Sequence, residues 1–218
     1  QLYSIAVHIT GKKGEFKKVF MIGEKQKRTP EYISFFADER DLLTNFFIWF
    51  KEIDPDIIIG WHVVGFDLLF LDNKCRELGI GLDIARANGR VSIRQRKPSG
   101  HFISITGRVV IDGPSMLRAS FFNFEDFKLE TVAQELLGTG KTITPDENKI
   151  EEIDRLFKED KTALAEYNLQ DAILVTDIYK KTGLIELSVH RAQISGLLMD
   201  QLGMMTAAFD HFYLPRLH

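Results

Sequence analysis

With one cysteine in 218 residues, Cys75, the chain cannot build an internal disulfide framework, and a reducing, cytoplasmic setting is expected. Its place within an apolar-periodic stretch predicts a buried, unreactive thiol. Long hydrophobic runs are missing as well. No apolar stretch approaches the roughly 18 residues of a membrane span, and the opening QLYSIAVHIT lacks the charged start and cleavage site of a signal peptide, so neither export nor a membrane anchor is expected. Surplus positive charge is absent too: 28 Lys and Arg against 31 Asp and Glu leave a net charge of −3, which argues against holding duplex nucleic acid by bulk charge. There is no internal repeat and no low-complexity segment. What is present, 44% hydrophobic content over 218 residues, suffices for one compact α/β core with a C-terminal extension.

Acid is missing locally. Between Asp83 and Asp112 no acidic residue occurs, while Arg86, Arg90, Arg94, Arg96, Lys97 and Arg108 supply six positive charges. The pattern VSIRQR, KPSG, HFISITGRVVI reads as two strands joined by a Pro/Gly turn. Such a basic hairpin suits tracking of a phosphate backbone. It equally suits a solvated hairpin whose charges prevent aggregation, and the composition leaves both readings open.

The remaining pattern supplies a framework. LYSIAVHI and FKKVFMIG are strand-like, with GKKGE as the turn between them. From Asp38, a candidate N-cap, Leu42, Leu43, Phe46, Phe50 and Ile53 recur at helical spacing and predict a helix ending before Asp54-Pro55. Ile57 to Ile59 read as a short strand buried on both faces. Phe66 to Leu78 read as a helix stopped at Gly79, Val109 to Ile111 as a strand ending at Asp112, and Leu129 to Leu137 as a helix closed by Gly138. Residues 146–159 and 160–181 read as two charged amphipathic helices. Glu151, Glu152, Asp154, Glu159 and Asp160 alternate with basic residues there, the pattern of a solvated face. A mixed sheet flanked by helices follows, with Asp67 and Asp112 at strand and helix ends, where active sites of such sheets lie.

Two segments carry the chemistry. DPDIIIGWHVVGFD, residues 54–67, runs a buried strand through a Gly-punctuated turn to Asp67. YNLQD, residues 167–171, places Tyr167 and Asp171 four apart on one helix face. Carboxylates delivered by separate elements, with a phenol beside one, are what a two-metal phosphodiester hydrolase uses to hold cations and aim a water. Asp112 is a second-tier candidate that also suits a helix cap.

These segments resemble motifs of a known family. DPDIIIGWHVVGFD resembles the second exonuclease motif of family B DNA polymerases, and GRVVIDG, LETVAQELLG and YNLQDAILV resemble the neighbouring blocks and the third motif, in the same order. The resemblance implies an α/β ribonuclease H-like mixed sheet flanked by helices, with a β-hairpin insertion. It implies a 3′→5′ exonuclease domain over residues 1–186 and a helical connection toward the polymerase palm over 187–218. It further implies two Mg²⁺ or Mn²⁺ ions, with Asp67 on the looser and Asp171 on the tighter cation and Tyr167 orienting the attacking water. His62, Phe66, Arg94, Arg96 and Lys97 would contact substrate, a single-stranded DNA 3′ end, and the polymerase domains of a parent chain would be partners. Phe66 equally suits a core position.

Two departures qualify this. His62 stands where the family usually has asparagine, which keeps a donor and an acceptor but changes reach and adds a titration. The family's first motif, Asp-x-Glu, lies just before the segment resembling QLYSIAV, and no such triplet occupies that place, so two metal carboxylates are expected to be missing and activity weak or absent. Loss of that strand would expose a neighbouring edge and invite dimerisation by strand pairing. The competing readings are a non-catalytic DNA-binding or structural module on the same fold, and an unrelated α/β hydrolase.

Overall fold

The computed structural model describes residues 1–12, 14–25, 29–95, 100–139, 149–199 and 205–217. The N-terminal hairpin forms as its sequence predicts. β1 (Ser4–Gly11) pairs antiparallel with β2 (Gly14–Ile22), and β3 (Ile33–Phe36) joins β2 in parallel. Period-2 alternation sorts β2 between two cores. Phe20 points to one side, among Phe46 and Trp49, while Val19 and Met21 point to the other.

Helix α1 (Glu39–Ile53) starts where the Asp38 side chain accepts from the Asp41 amide at 2.9 Å, a cap contributing about 1 kcal/mol. Leu42, Leu43, Phe46, Phe47 and Phe50 form its buried stripe. The helix ends at Asp54 in the left-handed region, φ 52°, where Arg86 and the buried Arg108 both pair with the Asp54 carboxylate. Arg86 beside Asp54 holds that carboxyl below its usual range.

A second sheet is parallel: β4 (Ile57–Gly60) pairs with β7 (Val109–Asp112). A third sheet, antiparallel, joins β5 (Val91–Gln95) to β6 (His101–Ile105). Arg96 and Lys97, the remaining substrate candidates of this region, lie outside the described residues. Helices α2 (Leu69–Glu77), α3 (Gly113–Ala119), α4 (Leu129–Leu137), α5 (Lys149–Glu159), α6 (Lys161–Thr182), α7 (Leu184–Ser195) and α8 (Met205–Leu217) complete the described elements, and a π-helical turn, Val64–Leu68, leads into α2. Cys75 is buried on α2, and burial pushes its thiol up to about 11.

Where the sequence predicts one mixed sheet, the described strands form three separate sheets. Yet β1 and β4 occupy the same layer. Ile5, Val7 and Ile58 pack into the core beneath α1 and α2. On the opposite face Tyr3 and Ala6 pack with Leu164 and Leu169 of α6, and Ile57 and Ile59 with Leu174, Val175 and Ile178 of the same helix. Between the two strands lies a cavity of about 1460 Å³.

Candidate active site

The tight exit from β4 builds one wall of the cavity. Gly60 is required there, since a Cβ would sit 2.6 Å from the Val63 Cβ. A side chain at Gly113, across the ladder, would lie 2.7 Å from the Trp61 ring, so the two glycines let β4, β7 and the turn approach closely. Trp61 Nε1 donates to the Phe127 carbonyl at 2.9 Å and anchors the turn to the loop before α4. His62 then adopts φ 58°, the left-handed region, which asparagine, aspartate and histidine enter more readily than other side chains.

From His62 the chain enters the π turn rather than a plain α-helix. The Phe66 amide donates to His62 at 2.9 Å and the Leu68 amide to Val63 at 2.8 Å, the latter spanning five residues. Widening the coil by one residue buries Leu68 and leaves Phe66 70% exposed, so Phe66 is a surface aromatic and the core reading of it is corrected. Asp67 lines the cavity. Its surface reaches solvent, but the concave protein wall limits hydration, and this pushes the carboxyl up to about 6, against an opposing backbone hydrogen bond, with the nearby Asp112 charge adding to the rise and His62 opposing it.

Asp112 caps α3: its Oδ2 accepts from the Ser115 hydroxyl at 2.8 Å and faces the Ser115 amide at 3.4 Å. Its Oδ1 is buried with no hydrogen-bond partner among the described residues. Capping and the field on Asp67 therefore coexist in one side chain.

The opposite wall belongs to α6, whose Asp160 N-cap accepts from the Ala163 amide at 2.9 Å. Tyr167 and Asp171 are half-buried and line the same cavity as Asp67, His62 and Phe66. Asn168, between them, donates to Ser4 Oγ at 2.9 Å and fastens α6 to β1. Five of the sequence-derived site residues thus share one concavity.

Arg94 is not brought to it. It is exposed on β5, with its guanidinium near Ser92 Oγ at 3.3 Å, and the β5–β6 ladder does not line the cavity. Two further cations of the basic stretch are structural: Arg86 bridges Asp54 and Asp56, and Arg108 donates to the Ile84 carbonyl at 2.8 Å and packs over the Phe50 ring at 4.9 Å. The count of six charges overstates what that stretch can offer a phosphate. Conversely, Glu151, Glu152 and Arg155 of α5 line the cavity, where the sequence pattern predicts only a solvated face. Charge alternation reports the pairing of Glu152 with Arg155 at 2.7 Å but not what the helix packs beside.

As a cation site the set is short of donors. Asp67 and Asp171 offer hard oxygens of the right kind, but among the described residues no group of three or more His, Cys, Asp or Glu is placed to hold a metal ion. The residues present do not fit two divalent cations.

Comparison with known proteins bears on the same residues. The family model "DNA polymerase family B, exonuclease domain" matches residues 4–132. The chain is 40% identical to DNA polymerase II of Escherichia coli K12 over all of its own length and 28% of that protein. It is 30% identical to the DNA polymerase catalytic subunit of Epstein-Barr virus over 66% of the chain and 15% of the relative, and 27% identical to a DNA polymerase of Thermococcus kodakarensis over 78% of the chain and 10% of the relative. The chain spans between a tenth and little more than a quarter of the length of these curated relatives. With a family match over more than half its residues and 40% identity along its full length, this chain belongs to the exonuclease domain of the family B DNA polymerases.

Proposed function

We propose that the chain is the 3′→5′ proofreading exonuclease portion of a family B DNA polymerase, acting on single-stranded DNA 3′ ends, with a ribonuclease H-like sheet and with DNA and polymerase domains as partners. The observation that carries this reading is the convergence of Asp67, from the turn after β4, with Tyr167 and Asp171, from α6, on one cavity. Phe66 offers an exposed ring at its rim, suited to stacking on a terminal base. His62 presents ring nitrogens able to donate to or accept from that nucleotide. The Tyr167 phenol is placed to orient an attacking water, and the Asp67 and Asp171 carboxylates are this chain's own contribution to the hard oxygen donors that the family's divalent cations would require.

Residues 1–186 form the nuclease unit in this reading, and 187–218 lead toward the polymerase domains. The apolar residues Phe209, Leu214 and Leu217 of α8, all more than half exposed, support that assignment. A cytoplasmic setting rests on the lone cysteine, and among the described residues no helix is long and apolar enough to cross a membrane. With no group of three or more metal-ligating side chains placed together among the described residues, the chain by itself is, in this reading, a weak nuclease or an inert one. The same shortage favours the second reading, a non-catalytic DNA-binding module on this fold.

Digestion of a 5′-labelled single strand with Mn²⁺ at enzyme excess separates them. A faint 3′→5′ ladder that disappears in Asp171→Ala supports the nuclease. Retained single-strand binding with no ladder supports the non-catalytic module. Robust turnover that survives Asp171→Ala would remove this site from the chemistry.

A further inference from the structure

We propose that Phe121 and Arg118, at the end of α3, form a second contact for a single DNA strand outside the cavity, the ring stacking on a base and the guanidinium pairing with a phosphate. The contact presupposes the single-stranded substrate proposed above, but neither of its residues lines the cavity. The backbone at Phe121 is strained. Helix α3 closes in a Schellman motif: the Phe121 amide donates to the Arg118 carbonyl and the Phe122 amide to the Leu117 carbonyl, each at 3.1 Å. Phe121 holds the left-handed position of that motif at φ 64°, where glycine is usual because a Cβ crowds the following carbonyl oxygen. The apolar contact that completes the motif comes from the next residue, for Phe122 packs into the cluster that contains Leu117. Phe124 stacks on Phe122 and meets Phe127 edge-on against the same core. Phe121 instead turns outward and is 75% exposed. Neither its conformation nor its exposure stabilises the fold, so the ring is presented to something outside it.

Position and charge specify a nucleic-acid strand. The Arg118 guanidinium lies over the Phe127 ring at 4.0 Å, the Phe127 carbonyl accepts from Trp61 Nε1 at 2.9 Å, and Trp61 lines the cavity. Gly113, which opens α3, sits against the Trp61 ring, and the seven residues of α3 rise only about 10 Å. Phe121 is therefore within reach of a strand whose 3′ end lies in the cavity beside Phe66. Arg118 is exposed and makes no ion pair among the described residues, whereas Arg86, Arg108 and Arg155 are committed to carboxylates. A free guanidinium beside an outward aromatic ring is the combination that holds single strands without base readout, cation to phosphate and ring to base. An apolar protein surface would cover the ring and leave the adjacent cation unanswered; a nucleotide answers both.

The test measures binding of 5′-fluorescein oligothymidylates to the full chain by anisotropy, in EDTA so that no cleavage intervenes, with a short and a long strand of about four and about twelve nucleotides. Phe121→Gly should leave the urea midpoint unchanged or raised, since glycine relieves the strained position. It should weaken the long strand about tenfold while the short one, which the cavity alone can hold, keeps its affinity. Arg118→Gln should lower the slope of log affinity against log salt for the long strand by about 0.7, the share of one phosphate. Phe66→Ala should weaken both strands. Long-strand affinity that falls in Phe66→Ala but not in Phe121→Gly or Arg118→Gln overturns the second contact and leaves the nuclease reading standing; the ring then serves a protein surface. Affinity that falls in Phe121→Gly but not in Phe66→Ala supports the contact and removes the cavity from the strand's path. A lower urea midpoint for Phe121→Gly overturns the contact, because the ring would then be part of the fold. Failure of the parent chain to bind either strand overturns both.

Discussion

Asp67 sits under opposing influences: the concave wall and the Asp112 charge favour its proton, while a backbone hydrogen bond and His62 favour its loss. Its ordinary value of 3.8 becomes about 6 in the fold. The folded state binds that proton more tightly than the unfolded state, so the associated stability is complete below about pH 3.8 and is lost as pH rises through 6. A shift of this size in a closed interior would correspond to about 3 kcal/mol. Asp67 meets solvent in the cavity, and screening reduces the expected effect to about 1 kcal/mol. Asp67→Asn, fixed in a neutral form, should therefore gain stability relative to the parent between pH 4 and pH 7, read as a change in the difference of their Tm values. A constant difference across that range would show that the carboxyl is hydrated normally. The motif around Asp67 makes the residue legible in the sequence; its perturbed proton is not, because the perturbation comes from β7 and the cavity wall.

The π turn is the element that converts a buried strand into a site. Gly60 and Val63 are in contact at its entry, and the collision for any larger residue is between Cβ atoms, not between flexible side-chain ends. Gly60→Ala should lower stability by about 2 kcal/mol in urea unfolding, and Val63→Ala should fail to rescue it, since the Val63 Cβ remains. Rescue would show that the clash is with the Val63 methyl groups alone. Elements with strong punctuation are legible in the amino-acid sequence: Asp38 caps α1, and Gly138, at φ 69°, closes α4 where the spacing predicts. Elements without it are not. β3 has four residues with no alternation of polarity, and α3 has seven, fewer than two helical turns, so neither offers a period to detect. The π turn differs from an α-helix by one hydrogen-bond register, which leaves no trace in hydrophobic spacing.

At the scale of the whole molecule, three apolar clusters among the described residues hold the helices to the strands, and none of these includes Asp67, Tyr167 or Asp171. The motif order places these residues in a shared region of the fold, but the cavity that unites them depends on how two helix layers bridge β1 and β4, a non-local arrangement that no single segment encodes. Stability and site are therefore separable. Treatment with EDTA should leave the Tm unchanged, because no packing core depends on a cation. Adding Mn²⁺ should raise it only slightly. Two carboxylates with millimolar affinity at millimolar metal would contribute less than about 1 kcal/mol through mass action, and Asp67→Ala with Asp171→Ala should erase even that. A rise of many degrees with Mn²⁺, lost in the double variant, would show that further donors close around the cavity and that the chain holds its cations unaided.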